Sequence, residues 1–378
     1  MKVLHIIPDL SIGGAEKLIT SWLCTSHLYR TDFRLCVLGS RKKNILCEEL
    51  SSNGIHVYYL NKRTGFDVFV IIKIFRVIRQ FKPDIVHTHL YGFYYTIFPI
   101  IINRTPIRIH TLHDFAMYDC RKIETVLRKI FFKRLHFIIV GISKSVADSA
   151  NNVYGLTAKL IYNGIPFEKF INSIIRHNNP VKILICVANF KSMKNHRLLI
   201  NAFEKAKSIK DNLKLWLIGE GPLLQEIKNL VQWKNLQEDV IFWGTRNDIK
   251  DLLSSSDIFI STSRYEGFGL AIIEAMAAQK PVIVPQVGGI PEVVENGKTG
   301  ILISQLDESN FANAMIELST NSSLMKKMGK NGVDVVKKKF DIKRMITEYE
   351  FLYKKSYEFY IKNRTRNRFW RLLKIFNN

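Results

Sequence analysis

A chain of 378 residues, 47% hydrophobic and 24% charged, is long enough for two folded domains and too balanced for a fibrous or disordered protein. Its 56 lysines and arginines against 33 acids give a formal net charge of +23, which directs attention to anionic partners. Five cysteines, an odd number without paired metal-ligand spacing, exclude a disulfide scaffold and fit reduced thiols in a cytosolic protein.

The N-terminus enters a strand pattern at once, Lys2-Val3-Leu4-His5-Ile6-Ile7, without the basic, apolar and small-residue succession of a signal peptide. A cytoplasmic location is therefore expected. The turn Ile12-Gly13-Gly14-Ala15-Glu16 follows and opens a helix pattern; alone, such a turn more often serves chain geometry than a ligand. Further apolar runs come at Phe33–Leu38, His56–Leu60, Asp84–His87, Arg108–Leu112 and Phe137–Val140. The longest apolar patch, Tyr91 to Ile102, is too short to span a bilayer. Thr111-Leu112-His113-Asp114 closes one run with a histidine, and the acid beside it could orient the ring. Ser143, after Val140-Gly141-Ile142, reads as a helix N-cap.

A polar segment, residues 172–180, reads as a linker, and a second opening follows at Val181–Val187. It leads through Asn189-Phe190-Lys191-Ser192-Met193-Lys194 into another helix pattern. Later runs at Leu213–Ile218, Val240–Trp243, Asp257–Ile260, Pro281–Val284 and Gly300–Ile303 complete the alternation. Strands alternating with helices imply two doubly wound, Rossmann-like α/β domains with a ligand cleft between them, over residues 1–171 and 181–345, with a C-terminal helix and tail over 346–378.

One stretch carries the most chemistry: Ser263 to Gly289, in which a strand feeds a glycine-rich turn and a helix start. Free N–H groups and the helix dipole make such a turn an anion site, and Gly267 and Gly269 let a ligand approach the main chain. Glu266 lies in the turn, and Glu274 lies on a helix that is otherwise apolar. The Glu-x7-Glu spacing around Gly-Phe-Gly, followed by Pro-Val-Ile and Gly-Gly-Ile-Pro-Glu, closely resembles the signature of retaining GT-B glycosyltransferases of the group 1 or family 4 type.

That resemblance implies transfer of a sugar from a nucleotide-diphosphate donor, UDP by family frequency, with retention of anomeric configuration. It implies that Glu274 accepts from the ribose hydroxyls and Glu266 contacts the donor sugar. Backbone N–H groups around Phe268, Gly269 and Leu270 would hold phosphate or sugar oxygens. Lys194 would lie on the donor phosphates, with Gly14 in the loop that closes over them and His113 near the transferred sugar. The base would lie against Trp243-Gly244-Thr245-Arg246. Many relatives carry an Arg in a Gly-Arg context where this chain has Ala188-Asn189; Lys191 is either its replacement or a solvated lysine. No Asp-x-Asp occurs, so no metal or other cofactor is expected, and the leaving charge would fall to Lys194 and helix N-termini. Asn296-Gly297-Lys298-Thr299 is no P-loop, because the first required Gly falls on Glu292.

Residues 1–170 carry 24 cations against 12 acids, which on the resemblance suits an acceptor domain facing phospholipid or a lipid-linked acceptor in cell-surface polysaccharide assembly such as capsule or O-antigen. Two segments combine cations with an apolar helical face: Arg121–His136, and the tail with Phe369, Leu372, Leu373 and Phe376. The first either meets an anionic inner-leaflet surface or is a solvated basic helix face; the tail either meets that surface or packs its apolar face on the N-terminal domain. The alternatives are another GT-B chemistry, such as a nucleotide-sugar 2-epimerase, which would want more cleft carboxylates, and a basic nucleic-acid-binding protein, for which no module is visible.

Overall fold

The alternation of apolar runs with helical stretches becomes two parallel sheets in the computed structural model. It describes residues 1–11, 13–117, 122–171 and 180–376, with the side chains of 122, 123 and 364–376 left aside. In the first half the strands are β1 (Lys2–Ile7), β2 (Asp32–Val37), β3 (Val57–Tyr59), β4 (Ile85–His89), β5 (Ile107–Leu112), β6 (Ile138–Gly141) and β7 (Lys159–Leu160). They lie in the order β3-β2-β1-β4-β5-β6-β7, every neighbouring pair parallel. The second half contributes β8 (Lys182–Val187), β9 (Leu213–Ile218), β10 (Val240–Gly244), β11 (Ile258–Ile260), β12 (Val282–Pro285) and β13 (Gly300–Ile303). Their order is β10-β9-β8-β11-β12-β13, again parallel throughout. Both sheets are Rossmann-like, and in each the strand order reverses beside the first strand, at β1/β4 and at β8/β11. Ligands of open α/β sheets bind beyond the carboxyl ends of strands at such a point.

The central strands are buried on both faces, which is why they read as continuous apolar runs rather than alternating ones. Strand β7 was not expected; it has two residues, both exposed, and offers no pattern to read. Ser143 caps the helix Lys144–Tyr154, its Oγ accepting from Val146 N–H at 3.1 Å.

The chain forms two compact units, residues 1–162 with 342–378, and residues 163–341. The boundaries fall earlier than the sequence suggested. Residues 163–171 fold with the second unit because Ile165 N–H donates to Phe340 O at 2.9 Å and the helix Glu168–Ile171 packs on the helices Ile249–Ser254 and Leu270–Ala277. The expected linker, apart from residue 180, lies outside the described residues. The last helix, Ile342–Phe376, belongs to the first unit, where Tyr349 and Tyr353 are fully buried and their rings lie 4.4 and 6.4 Å from that of Trp22. The apolar tail residues from Phe369 on are among the side chains outside the description. Among the described residues no helix is long and apolar enough to cross a membrane.

Candidate active site

In the second unit the loops after β8 and β11 meet at the switch point. After β8 a short turn, Ser192–Lys194, precedes the helix His196–Ile209, with Asn195 left-handed between them. After β11 the chain runs through Glu266 to the helix Leu270–Ala277. Hydrogen bonds stitch the two loops together. Thr262 Oγ1 donates to the carbonyls of Lys194 and Asn195 at 3.2 and 3.0 Å, and Arg264 N–H donates to Met193 O at 2.9 Å. Lys194 Nζ thereby comes within 2.5 Å of Glu266 Oε2, each side chain about three-quarters buried (27% and 21% exposed). Lys191, three residues earlier, is exposed.

Two glycines fix this arrangement. Gly269, at φ +92°, is the N-cap of the helix Leu270–Ala277, and a Cβ there would meet Ile272 Cδ1 at 2.7 Å. Gly288, at φ +55°, lies so close to Glu266 O that a Cβ would collide with it, while Gly289 N–H donates to the same oxygen at 2.9 Å. The Gly-Gly turn therefore clamps the main chain of Glu266. The Phe268 ring is buried against Phe340, centroids 5.5 Å apart, so the ring belongs to the core and not to the surface of the turn. Gly267 is also buried, and Leu270 begins the helix, where the N–H groups of Leu270 and Ala271 precede the first intrahelical donor, Ile272 N–H, which donates to Gly269 O at 3.0 Å. Glu274 sits one turn on, half-buried. A cation, a carboxylate and a helix N-terminus converge here, an arrangement suited to holding a polyanion beside a polar group.

Gly244 ends β10 at φ +65°. Arg246 beyond it is engaged with Asp248, Nε to Oδ1 at 2.8 Å and Nη2 to Oδ2 at 2.5 Å, and lies 5.4 Å from the Trp243 ring centroid. These hydrogen bonds hold the Asp248 carboxyl below its usual range. A third loop, Gly219-Glu220-Gly221 after β9, went unnoticed in the sequence. It joins its neighbours: Phe190 N–H donates to Glu220 O at 3.0 Å and Gly219 N–H to Gly244 O at 2.9 Å. The Gly-Glu-Gly-Pro run after an apolar strand was the available signal. His196 stacks on Phe190 at 4.1 Å, and burial, then the nearby Lys194 charge, pushes its imidazole down to about 4.

In the first unit Gly13 caps and Gly14 begins the helix Gly14–Thr25, and Gly14 is exposed. Ile12 lies outside the described residues. His113 follows β5 and is only partly buried; its Nε2 lies 3.0 Å from His89 Nδ1, and His89 Nε2 lies 3.0 Å from His5 Nδ1. The adjacent acid, Asp114, accepts from Phe115 N–H at 2.9 Å, and the His113 ring meets that of His89. His87 lies beside this row, its Nδ1 2.6 Å from the Tyr353 hydroxyl and its Nε2 2.7 Å from Thr111 Oγ1. His5, His87 and His89 bring ring nitrogens within 4.8 Å of one another, near enough for a metal. All of those nitrogens except His5 Nε2 are already hydrogen-bonded, to one another or to His113, Tyr353 and Thr111.

His5 Nε2 is buried without a partner. A lone pair costs less there than a stranded N–H, which assigns the protons as His5 Nδ1–H to His89 and His89 Nδ1–H to His113 Nε2. The remaining nitrogen of His113, Nδ1, then carries its proton. Burial pushes His113 down to about 4 and His5 to about 3, so both are neutral at pH 7.

Two Rossmann-like domains with ligand loops at their switch points are the parts of a GT-B enzyme, and the comparisons agree. Residues 167–335 match the family described as glycosyl transferases group 1, and residues 12–169 match glycosyltransferase family 4. The chain belongs to this group 1/family 4 of GT-B glycosyltransferases. It is 36% identical over 172 residues to the N-acetyl-alpha-D-glucosaminyl L-malate synthase of Bacillus anthracis, covering 46% of this chain and 45% of that one, so the match spans about half of that relative. It is 28% identical over 314 residues to an Escherichia coli UDP-Gal:alpha-D-GlcNAc-diphosphoundecaprenol alpha-1,3-galactosyltransferase, covering 76% and 79% of the two chains. The crystal structure of Anabaena HepE with UDP and glucose shares the fold at a TM-score of 0.82, with 18% identity over 93% of this chain and 99% of that one.

Proposed function

We propose that this glycosyltransferase moves a sugar from a UDP-sugar to a lipid-linked or glycan acceptor with retention of anomeric configuration, without a metal, at the cytoplasmic face of the plasma membrane in cell-surface polysaccharide assembly. The observation that carries the reading is the Lys194–Glu266 pair beside the glycine-capped start of the helix Leu270–Ala277. When the bond from the anomeric carbon to the diphosphate breaks, negative charge collects on the departing phosphate. A preorganised ammonium and first-turn N–H groups stabilise that charge more than they stabilise the ground state. Glu266, held by the Gly288-Gly289 turn, is the polar group facing the sugar, and Glu274 accepts from the ribose.

His113, neutral and with its proton on Nδ1, offers a hydrogen-bond donor to a sugar hydroxyl rather than a charge. Lys191, exposed beside the site, is the candidate second phosphate contact, Gly14 the closing loop, and Gly244 the support for the base. Arg246 would have to leave Asp248 to reach a ligand, so its part is to brace that turn. A lipid diphosphate acceptor accords with the E. coli relative, whose name specifies diphosphoundecaprenol, and with the basic first half of the chain. A thermal-shift screen of nucleotide sugars tests the donor class: a ligand at a hundred times its dissociation constant stabilises the fold by about 2.7 kcal/mol. Stabilisation by UDP-sugars is expected, and a flat response to every nucleotide sugar would overturn the reading.

A further inference from the structure

The first unit carries an apolar face unrelated to the two segments that the sequence pointed to. The helices Val68–Phe81 and Gly92–Ile102 pack side by side and run in the same direction. Tyr95 Oη lies 3.4 Å from both Gly65 O and Asp67 N near their starts, and Asn103 Nδ2, just past the end of the second helix, donates to Phe75 O in the middle of the first at 3.4 Å. Phe69 and Ile72 on the first helix and Phe98, Ile101 and Ile102 on the second are exposed apolar residues of this packed pair. Phe69 is 65% exposed, Phe98 61% and Ile102 64%, and Phe66, 70% exposed, extends the patch over Tyr95. Scattered exposed apolar residues need no explanation, but their concentration on two adjoining helices does.

Charge identifies what covers it. Residues 61–105 hold seven cations, and exposed ones lie at both ends of the face: Arg63 before it, Arg76 and Arg79 one and two turns beyond Ile72, and Arg104 after Ile102. The segment has only two acids, and both are turned elsewhere. Asp67 is buried as the helix N-cap, accepting from Arg63 N–H and Phe69 N–H, and Asp84 accepts from Lys2 N–H. A second copy docked face to face would set cation against cation at both ends. An anionic bilayer instead takes the aromatic side chains at its interface and the arginines among its phosphates.

We propose that this face, Phe66 to Ile72 with Phe98 to Ile102, seats the enzyme on an anionic phospholipid surface. The proposal deepens the reading of a membrane-linked acceptor. The starts of both helices lie at the carboxyl edge of the sheet, the edge that also carries His113, so the Phe66 and Phe69 end of the face lies toward the side from which an acceptor would be read.

The test is co-sedimentation of the full chain with vesicles of phosphatidylcholine alone or mixed with phosphatidylglycerol. The wild type is expected to bind the anionic vesicles, less so as salt rises. Phe69→Glu/Phe98→Glu should bind at least about tenfold more weakly, because it removes two large apolar contacts and adds repulsion. Arg76→Glu/Arg79→Glu, which leaves the apolar surface whole, should also lose binding. UDP-induced thermal stabilisation should persist in both variants, which checks their folding and keeps a failed donor reading distinct from a failed docking surface. Wild-type sedimentation of both variants overturns the proposal. So does a wild-type dimer in sedimentation velocity that the phenylalanine variant abolishes, since the face would then join copies of the chain.

Discussion

Replacing Lys194 by alanine separates a structural role for its ion pair from a chemical one. The pair with Glu266 is tight, at 2.5 Å, but with 27% and 21% of the two side chains exposed water still screens it. Its loss should cost the fold about 1 kcal/mol or less. A donor aimed at a developing charge is worth far more in the transition state, roughly 10²–10³ in turnover, or about 2.7–4 kcal/mol. The turnover loss should therefore exceed the stability loss severalfold, measured as UDP release in a coupled assay and as a urea unfolding midpoint on the same preparation. Glu266→Gln supplies the complementary reading. It removes a negative charge that neutralises Lys194 where a diphosphate would bind, so UDP should bind at least as tightly as to the wild type while transfer falls. If Lys194→Ala turned over near the wild-type rate, or lost turnover only in step with stability, the assignment of Lys194 to the leaving group would be wrong.

Glu274→Gln should weaken UDP binding about tenfold in titration calorimetry through loss of a charged acceptor for the ribose, and unchanged affinity would remove that role. Transfer should survive excess EDTA; loss restored by manganese or magnesium would show that the protein's own cations do not suffice. The buried histidines make stability pH-dependent with a defined sign. His5 and His196, held by burial near 3 and 4, stay neutral when folded but take up protons near 6.5 when unfolded. Their contribution is thus full above about pH 6.5 and lost as pH falls toward 4, at about 1 kcal/mol each between pH 7 and 5.5. Equal urea midpoints at pH 7.5 and 5.5 would contradict this. His89→Leu strands His113 Nε2 and His5 Nδ1, and should lower the unfolding free energy by about 1–3 kcal/mol and slow transfer; a neutral effect on both would dismiss the histidine row.

The fold was legible because parallel strands buried on both faces leave apolar runs that composition alone exposes, as in Lys2–Ile7 and Val181–Val187. The glycine turn at 266–269 was legible for the same local reason: its residues are contiguous. The histidine row was not, because β1, β4 and β5 each contribute members and only sheet register unites them. His5 pairs with His87 across β1 and β4, and His89 with Thr111 across β4 and β5. The His-x-His at the end of β4 was the one sequence hint. The boundary at residue 162 depended on a backbone bond from Ile165 to Phe340, which no local pattern encodes. Tyr91 to Ile102 was read as an apolar run, but which of its side chains would remain outside depended on how its helix lay against Val68–Phe81.

The most direct test of UDP-sugar transfer with retention is to incubate the full chain in EDTA with UDP-glucose, UDP-galactose or UDP-N-acetylglucosamine and a lipid-diphosphate acceptor, and to follow the first-formed anomeric proton by NMR. The expected result is UDP release from one of these α-linked donors with an α-configured product. A β-configured first product, or no release from any of the three donors, would contradict it.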